Sequence, residues 1–112
     1  MRKQHTQNIE GYWYSEYEKQ YPMPVPNVLT NEEAQVIYDL ILEKQEEALE
    51  RAFRGCSRSR ITDRGLGNKE YHTNDWIWTG DLAKHYVLDH KVKPSDEFLS
   101  YIGYNEINII TT

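Results

Sequence analysis

The chain has 112 residues and a mass of 13.3 kDa, which suits one domain and is too small for two independent cores. Hydrophobic residues make up 38% and charged residues 28%, so the chain is too rich in Tyr, Trp, Leu and Ile to be disordered. A net charge of −5 argues against a wholly basic nucleic-acid binder. One cysteine excludes an intramolecular disulfide.

No stretch has the ~20 apolar residues that a membrane span needs. We therefore expect one soluble, cytoplasmic domain over residues 1–112, with residues 1–10 and 105–112 flexible.

Aromatic residues and prolines dominate the region before residue 27. Tyr and Trp are concentrated in residues 11–17, which we expect to pack on the body of the domain. Alternating prolines follow in residues 21–26 and hold the backbone extended while withholding amide donors from a sheet. This pattern predicts a Pro-rich strap across the surface.

A long amphipathic helix is predicted from about Asn31 to Arg54. Thr30 and Glu33 have the spacing of a capping box at its start. Gly55 is typical of the residue that ends a helix. Apolar side chains recur at helical spacing, with glutamates on the opposite face; the apolar set is Ala34, Val36, Ile37, Leu40, Ile41, Ala48, Leu49, Ala52 and Phe53.

Short strands and helices are predicted after this helix. Residues 60–62 and 70–73 read as two strands around a glycine-rich turn, and Trp76–Trp78 as a third strand. Residues 82–87 have a helical apolar face. Another helix is predicted to begin with Pro94 in its first turn and to end at Gly103. The predicted fold class is α+β, with the long helix packed on a small antiparallel sheet.

The two tryptophans of the third predicted strand lie on one face of it. We expect Trp76 and Trp78 in the core rather than on a ligand-stacking surface, in contact with Trp13 or Tyr71.

Several short motifs occur in order over roughly residues 54–99. They are Arg54-Gly55-Cys56-Ser57-Arg58-Ser59-Arg60-Ile61-Thr62, Gly67-Asn68-Lys69-Glu70, Trp76-Ile77-Trp78 and His85-Tyr86-Val87-Leu88-Asp89-His90. This order resembles a group of uncharacterised small bacterial proteins that carry Cys-x-x-Cys, Gly-x-x-Glu, Trp-x-Trp-Pro and His-Tyr-Val-x-x-His. The resemblance implies no activity, and Thr79 stands where the group has proline.

The resemblance also implies a degenerate, zinc-finger-like site. The paired cysteines of the group fall at Ser59 and Thr62, and the paired histidines at His85 and His90. Because neutral hydroxyls are poor zinc ligands, we predict that the chain holds no metal and no other cofactor. The alternative is a metal site rebuilt from the two histidines with His72, Cys56 or Asp63.

The spacing of the two histidines limits how they can meet. Residues five apart on a straight α-helix lie ~140° apart around its axis. His85 and His90 can therefore meet only if one lies beyond the helix end.

A basic segment runs from Arg51 to Arg64, where five arginines and one acid, Asp63, give a local charge of +4. Guanidinium groups and hydroxyls together suit phosphate or carboxylate ligands. The candidate anion-binding residues are Arg54, Ser57, Arg58, Arg60 and Arg64. The alternative is that these arginines pair with the glutamates of the long helix.

No complete catalytic set is present, and we assign no catalytic residue. The leading hypothesis is a non-enzymatic binding or protein-interaction module, with a protein or a small anionic ligand as partner. Duplex DNA is an unfavourable partner because the rest of the chain is acidic.

Two other hypotheses remain open. One is an anion, nucleotide or nucleic-acid binder that uses residues 51–64. The other is a small enzyme that uses Cys56 with His72 or His85. The sequence leaves the oligomeric state open.

Overall fold

The computed structural model describes residues 8–11, 24–58, 61–62 and 65–104, and it describes only the backbone of residues 53–58, 66 and 68. The elements, in chain order, are β1 (Asn8–Glu10), α1 (Asn31–Glu47), β2 (Leu49–Arg58), β3 (Gly65–His72), β4 (Trp76–Thr79), a π-helix (Leu82–Asp89) and α2 (Asp96–Ile102). The predicted α+β class is confirmed.

Some predictions fall on other parts of the chain. Residues 12–17 of the aromatic segment and 21–23 of the strap lie outside the described residues. None of the helices that the structure describes is long and apolar enough to cross a bilayer.

The described strands form one mixed sheet in the order β1-β4-β3-β2. β3 pairs antiparallel with both β2 and β4, whereas β1 pairs parallel with β4. The predicted antiparallel sheet is therefore wrong at β1, because the long connection from β1 to β4 lets the two strands run in the same direction. Within the segment expected to be flexible, residues 8–10 form β1.

The start of α1 is as predicted. The Thr30 hydroxyl accepts a hydrogen bond from the Glu33 amide at 3.1 Å, and the Thr30 amide donates to the Glu33 carboxylate at 2.8 Å. This reciprocal pair satisfies two amides near the helix start.

The end of α1 differs from the prediction. The helix ends at Glu47 rather than at Arg54, and Ala48 already has an extended backbone with ψ of 157°. The chain continues as β2, which pairs with β3 from Leu49 onward. Strand pairing outweighs the helical propensity of residues 49–54.

The hairpin also lies earlier in the chain than predicted. Ile61 and Thr62, placed in a strand by the sequence, lie in the turn between β2 and β3. Glu70–His72 belongs to β3 and Trp76–Trp78 to β4, so these two strand predictions are confirmed.

The core lies between the helices and one face of the sheet. Trp78 is fully buried and stacks on Tyr71, with ring centroids 6.0 Å apart, as expected. Phe98 of α2 packs edge-on against both strand tryptophans, at 5.1 and 5.6 Å. The buried set is completed by Leu29, Ala34, Ile37, Ile41, Leu82, Ala83, Tyr86, Val87, Val92, Leu99, Ile102 and Tyr104.

The C-terminal helix α2 has caps at both ends. The Ser95 hydroxyl accepts from the Phe98 amide at 3.2 Å, and Pro94 precedes this cap instead of occupying the first turn. Gly103 ends the helix with φ of 89°, a conformation that favours glycine.

Candidate functional site

The β2–β3 hairpin extends beyond the sheet. β4 pairs with β3 only over Glu70–His72, so the part of the hairpin before Glu70 has no third strand among the described residues. There, Ser57 lies opposite Gly67 and Arg58 opposite Gly65. We call residues 51–69 the arm; its described strand segments form a two-stranded ribbon whose base lies in the sheet.

The arm contains a bulge. Between the pairs Ala52–Lys69 and Ser57–Gly67, β2 has four residues and β3 has one. Extra residues on one strand bend a hairpin and increase its twist. Gly67 lies in this irregular stretch with φ of 111°, where a side chain would be strained. The bulge includes Arg54 and Cys56 of the sequence-based hypotheses.

The arm is strongly basic. Six basic residues and one acidic residue in positions 51–69 give it a charge of +5, which leaves −10 for the rest of the chain. Lys69 forms an ion pair with Glu50 at 3.3 Å. Arg51 is exposed and forms no ion pair with any described residue. The pairing of arginines with helix glutamates, the alternative from the sequence, does not occur at Arg51.

The structure describes the candidate anion-binding residues to different extents. Arg54, Ser57 and Arg58 lie on β2, where the backbone alone is described, and Arg60 and Arg64 lie outside the described residues. All five belong to the arm. A shared anion site is therefore still a prediction, and so is the reactivity of Cys56.

The histidine pair meets because its helix is a π-helix. Such a helix joins residues five apart, and the His90 amide donates to the His85 carbonyl at 3.1 Å. The imidazole centroids lie 4.6 Å apart, with His90 as the residue that follows the helix. The spacing that would separate the two side chains on an α-helix brings them into contact here.

The structure describes one of the other two positions of the predicted degenerate site. Thr62 is exposed in the hairpin turn, and Ser59 lies outside the described residues. Among the residues that the structure does describe, no three His, Cys, Asp or Glu side chains are grouped to hold a metal. The prediction of no bound zinc stays open to elemental analysis.

A cleft of about 550 Å³ lies beside the base of the arm. Its walls come from the end of α1, the start of β2, the β3–β4 turn and α2. The Lys44 ammonium lies 4.9 Å from the centre of the Tyr101 ring, and the Tyr101 hydroxyl donates to Thr73 at 2.9 Å. His72 contacts Glu70 at 2.9 Å. Lys44, Tyr101 and Thr73 therefore contact one another along the wall of the cleft.

A buried carboxylate that no sequence pattern predicted lies away from the arm. Glu10 of β1 accepts hydrogen bonds from the Ser95 amide at 2.8 Å and the Ser95 hydroxyl at 2.7 Å. Only 7% of its surface is exposed. Removal from water raises the pKa of Glu10, although the bonds from Ser95 act in the opposite direction.

This raised pKa predicts a pH dependence of stability. Protonated Glu10 fits its site better than the carboxylate, so its contribution is fully present below the ordinary glutamate pKa of about 4.5. The contribution is lost as the pH rises from there through the raised pKa. We expect Glu10→Gln to flatten this part of the stability profile, measured by urea denaturation at closely spaced pH values. An unchanged slope in the variant would contradict the assignment.

Comparisons of the chain with protein-family models, curated proteins and solved structures find no match. The resemblance to the bacterial group stays a prediction, and the function is argued from the geometry of this chain.

Proposed function

We propose that this protein is a non-enzymatic interaction module that binds an acidic segment of a partner protein through its arm. The observation that carries the proposal is the separation of charge, with +5 in residues 51–69, whose described strands form a two-stranded projection, and −10 in the remainder of the chain. Opposite charge at such a site raises the association rate and orients the partner.

At the base of the arm, a positive charge is exposed to a ligand. Arg51 is exposed and has no acidic partner among the described residues. Lys69, in contrast, is paired with Glu50. Guanidinium groups bind carboxylates with two parallel hydrogen bonds, which favours Arg over Lys for acidic protein segments.

The acidic body restricts the partner. A short acidic peptide can bind along the arm without approaching the rest of the molecule, whereas a long polyanion such as duplex DNA would extend over acidic surface. This difference favours a protein partner.

The remaining predictions from the sequence are compatible with this proposal. The histidine pair with Ser59 and Thr62 then serves as a structural remnant of a zinc-finger-like site, without cofactor. A single cysteine suits a reducing cytoplasm, where we propose that the module acts.

The proposal predicts salt-sensitive binding of an acidic peptide. As probe we choose a twelve-residue peptide of three Val-Thr-Glu-Thr repeats, blocked at both ends, whose Val and Thr favour extended backbone. We expect Arg58→Ala combined with Arg60→Ala to weaken its binding at least tenfold in isothermal titration calorimetry, because two charged partners are lost. Binding by the wild type should fall when NaCl is raised.

Lys84→Ala combined with Lys93→Ala is the matched control, since it changes the net charge equally outside the arm. It should bind the probe within twofold of the wild type. No binding by the wild type, or equal losses in the two double variants, would contradict the proposal.

The second candidate is a nucleotide or nucleic-acid binder that uses the same arm. A two-stranded ribbon has the dimensions to enter a DNA major groove, which is the specific reason to test it. Titration of ATP and of labelled duplex DNA under the same conditions decides between the acidic peptide and a nucleotide or nucleic acid as the ligand. Tighter binding of either ligand than of the acidic peptide would favour this candidate.

A further inference from the structure

We propose that the acidic partner binds by strand addition, as an extended segment that pairs with the outer edge of β2. This inference rests on the proposed function and specifies how the arm binds. β2 is the last strand in the described sheet order, so its second edge has no strand partner among the described residues.

Hydrogen bonds of β3 show which groups of β2 face this edge. The Thr73 amide bonds to the Trp76 carbonyl, and the Lys69 carbonyl accepts from the Gly80 amide. Odd-numbered residues from Lys69 to Thr73 therefore direct their backbone groups toward β4. Because these directions alternate along a strand, Glu70 and His72 direct theirs toward β2.

The pairing with β3 then assigns the groups of β2. Leu49 lies opposite His72 and Arg51 opposite Glu70, so the backbone groups of Leu49 and Arg51 face β3. Those of Glu50 and Ala52 consequently face away from β3. Among the described residues nothing pairs with these donors and acceptors, so they can bond to an incoming strand.

The side chains at this edge define the chemistry of the segment. Trp78, Tyr71 and Glu50 share the core face, since Tyr71 stacks on Trp78 and its hydroxyl reaches Glu50. Leu49 and Arg51 therefore lie on the opposite face. Leu49 is 61% exposed and Arg51 is exposed. An aliphatic residue followed two positions later by an acid matches these two side chains.

Charge disfavours a second copy of the chain as the occupant. Parallel, in-register pairing of β2 with β2 of another molecule would align Arg51, Arg54 and Arg58 with the same arginines, and antiparallel pairing would still bring together two arms of charge +5. Like charges on adjacent strands are destabilising. With an acidic segment the electrostatic interaction with the arginines of β2 becomes attractive, so an acidic partner is favoured over self-association.

Amide exchange on the wild-type protein provides the first test. Binding of the Val-Thr-Glu-Thr probe should slow exchange of the Glu50 and Ala52 amides at least tenfold, because both become hydrogen-bonded. The Leu49 and Arg51 amides, already bonded to β3, serve as the internal reference and should change much less.

Ala52→Pro provides the second test. Proline removes the N–H that faces the free edge but none that faces β3, so the β2–β3 ladder keeps its bonds. We expect probe affinity to fall at least tenfold, whereas Ala52→Val, which keeps the N–H, stays within threefold. Circular dichroism of each variant verifies the fold, and the exchange test stands on the wild type alone.

The outcomes separate this inference from the proposed function. If the probe binds through the arginines while Glu50 and Ala52 gain no protection, strand addition is overturned and the basic arm stands. If the wild type binds no probe, both are overturned.

Discussion

Trp78→Ala should lower the free energy of unfolding by about 3–5 kcal/mol, the usual cost of truncating a buried aromatic side chain. The Trp78 ring is fully buried against Tyr71, Phe98 and Tyr101. Its indole N–H donates to the Gln45 side chain at 3.2 Å, which ties β4 to α1. Urea denaturation monitored by far-UV circular dichroism measures the loss.

Trp78→Phe is the informative control for this side chain. It keeps an aromatic ring but removes the indole N–H and some volume, so we expect a smaller loss than for Ala. A loss below about 1 kcal/mol for Trp78→Ala would mean that the tryptophan does not lie in the core.

Ile41→Ala should lower the free energy of unfolding by about 2–5 kcal/mol, as a large-to-small change in the core. Ile41 has no exposed surface and lies on the buried stripe of α1 with Ala34 and Ile37. Truncation leaves a cavity between α1 and the rest of the core. The same denaturation experiment applies.

Glu43→Ala is the control on the exposed face of α1 and should change stability by no more than about 0.5 kcal/mol. Ile41→Val, which removes one methylene, should cost about 0.5–1.5 kcal/mol. Equal effects of Ile41→Ala and Glu43→Ala would contradict the helix phase.

Local signals allowed the start of α1 and the core strand β4 to be predicted. The capping box of Thr30 and Glu33 acts within one helical turn, and the two tryptophans alternate as a half-buried strand requires. Such features depend on near neighbours, so they can be read from sequence alone.

The end of α1 could not be predicted because pairing with distant residues determines it. Leu49, Ala52 and Phe53 continue the helical spacing, yet β3 recruits this segment into the sheet. A signal was present, since Lys44 and Gln45 interrupt the apolar stripe after Ile41. These two side chains contact Tyr101 and Trp78 at the edge of the core.

The residues of the candidate site were predicted from the sequence, but their arrangement in space was not. The sequence identified the arginines, whereas their position on an edge strand depends on where β2 begins and on the sheet order. β1 and the buried Glu10 gave no signal, because a three-residue strand is too short to show periodicity. The contact of His85 with His90 meets the condition set by their spacing, since His90 follows the helix, but the π-helix that brings the two rings together was not predicted.

Chemical-shift mapping shows whether the arm is the binding element. Isotope-labelled wild-type protein is titrated with the Val-Thr-Glu-Thr probe, and amide shifts are followed along the chain. We expect the largest changes within residues 49–72, in the strands of the arm and its base. Changes centred on the π-helix around His85 and His90, or none at saturating probe, would contradict it.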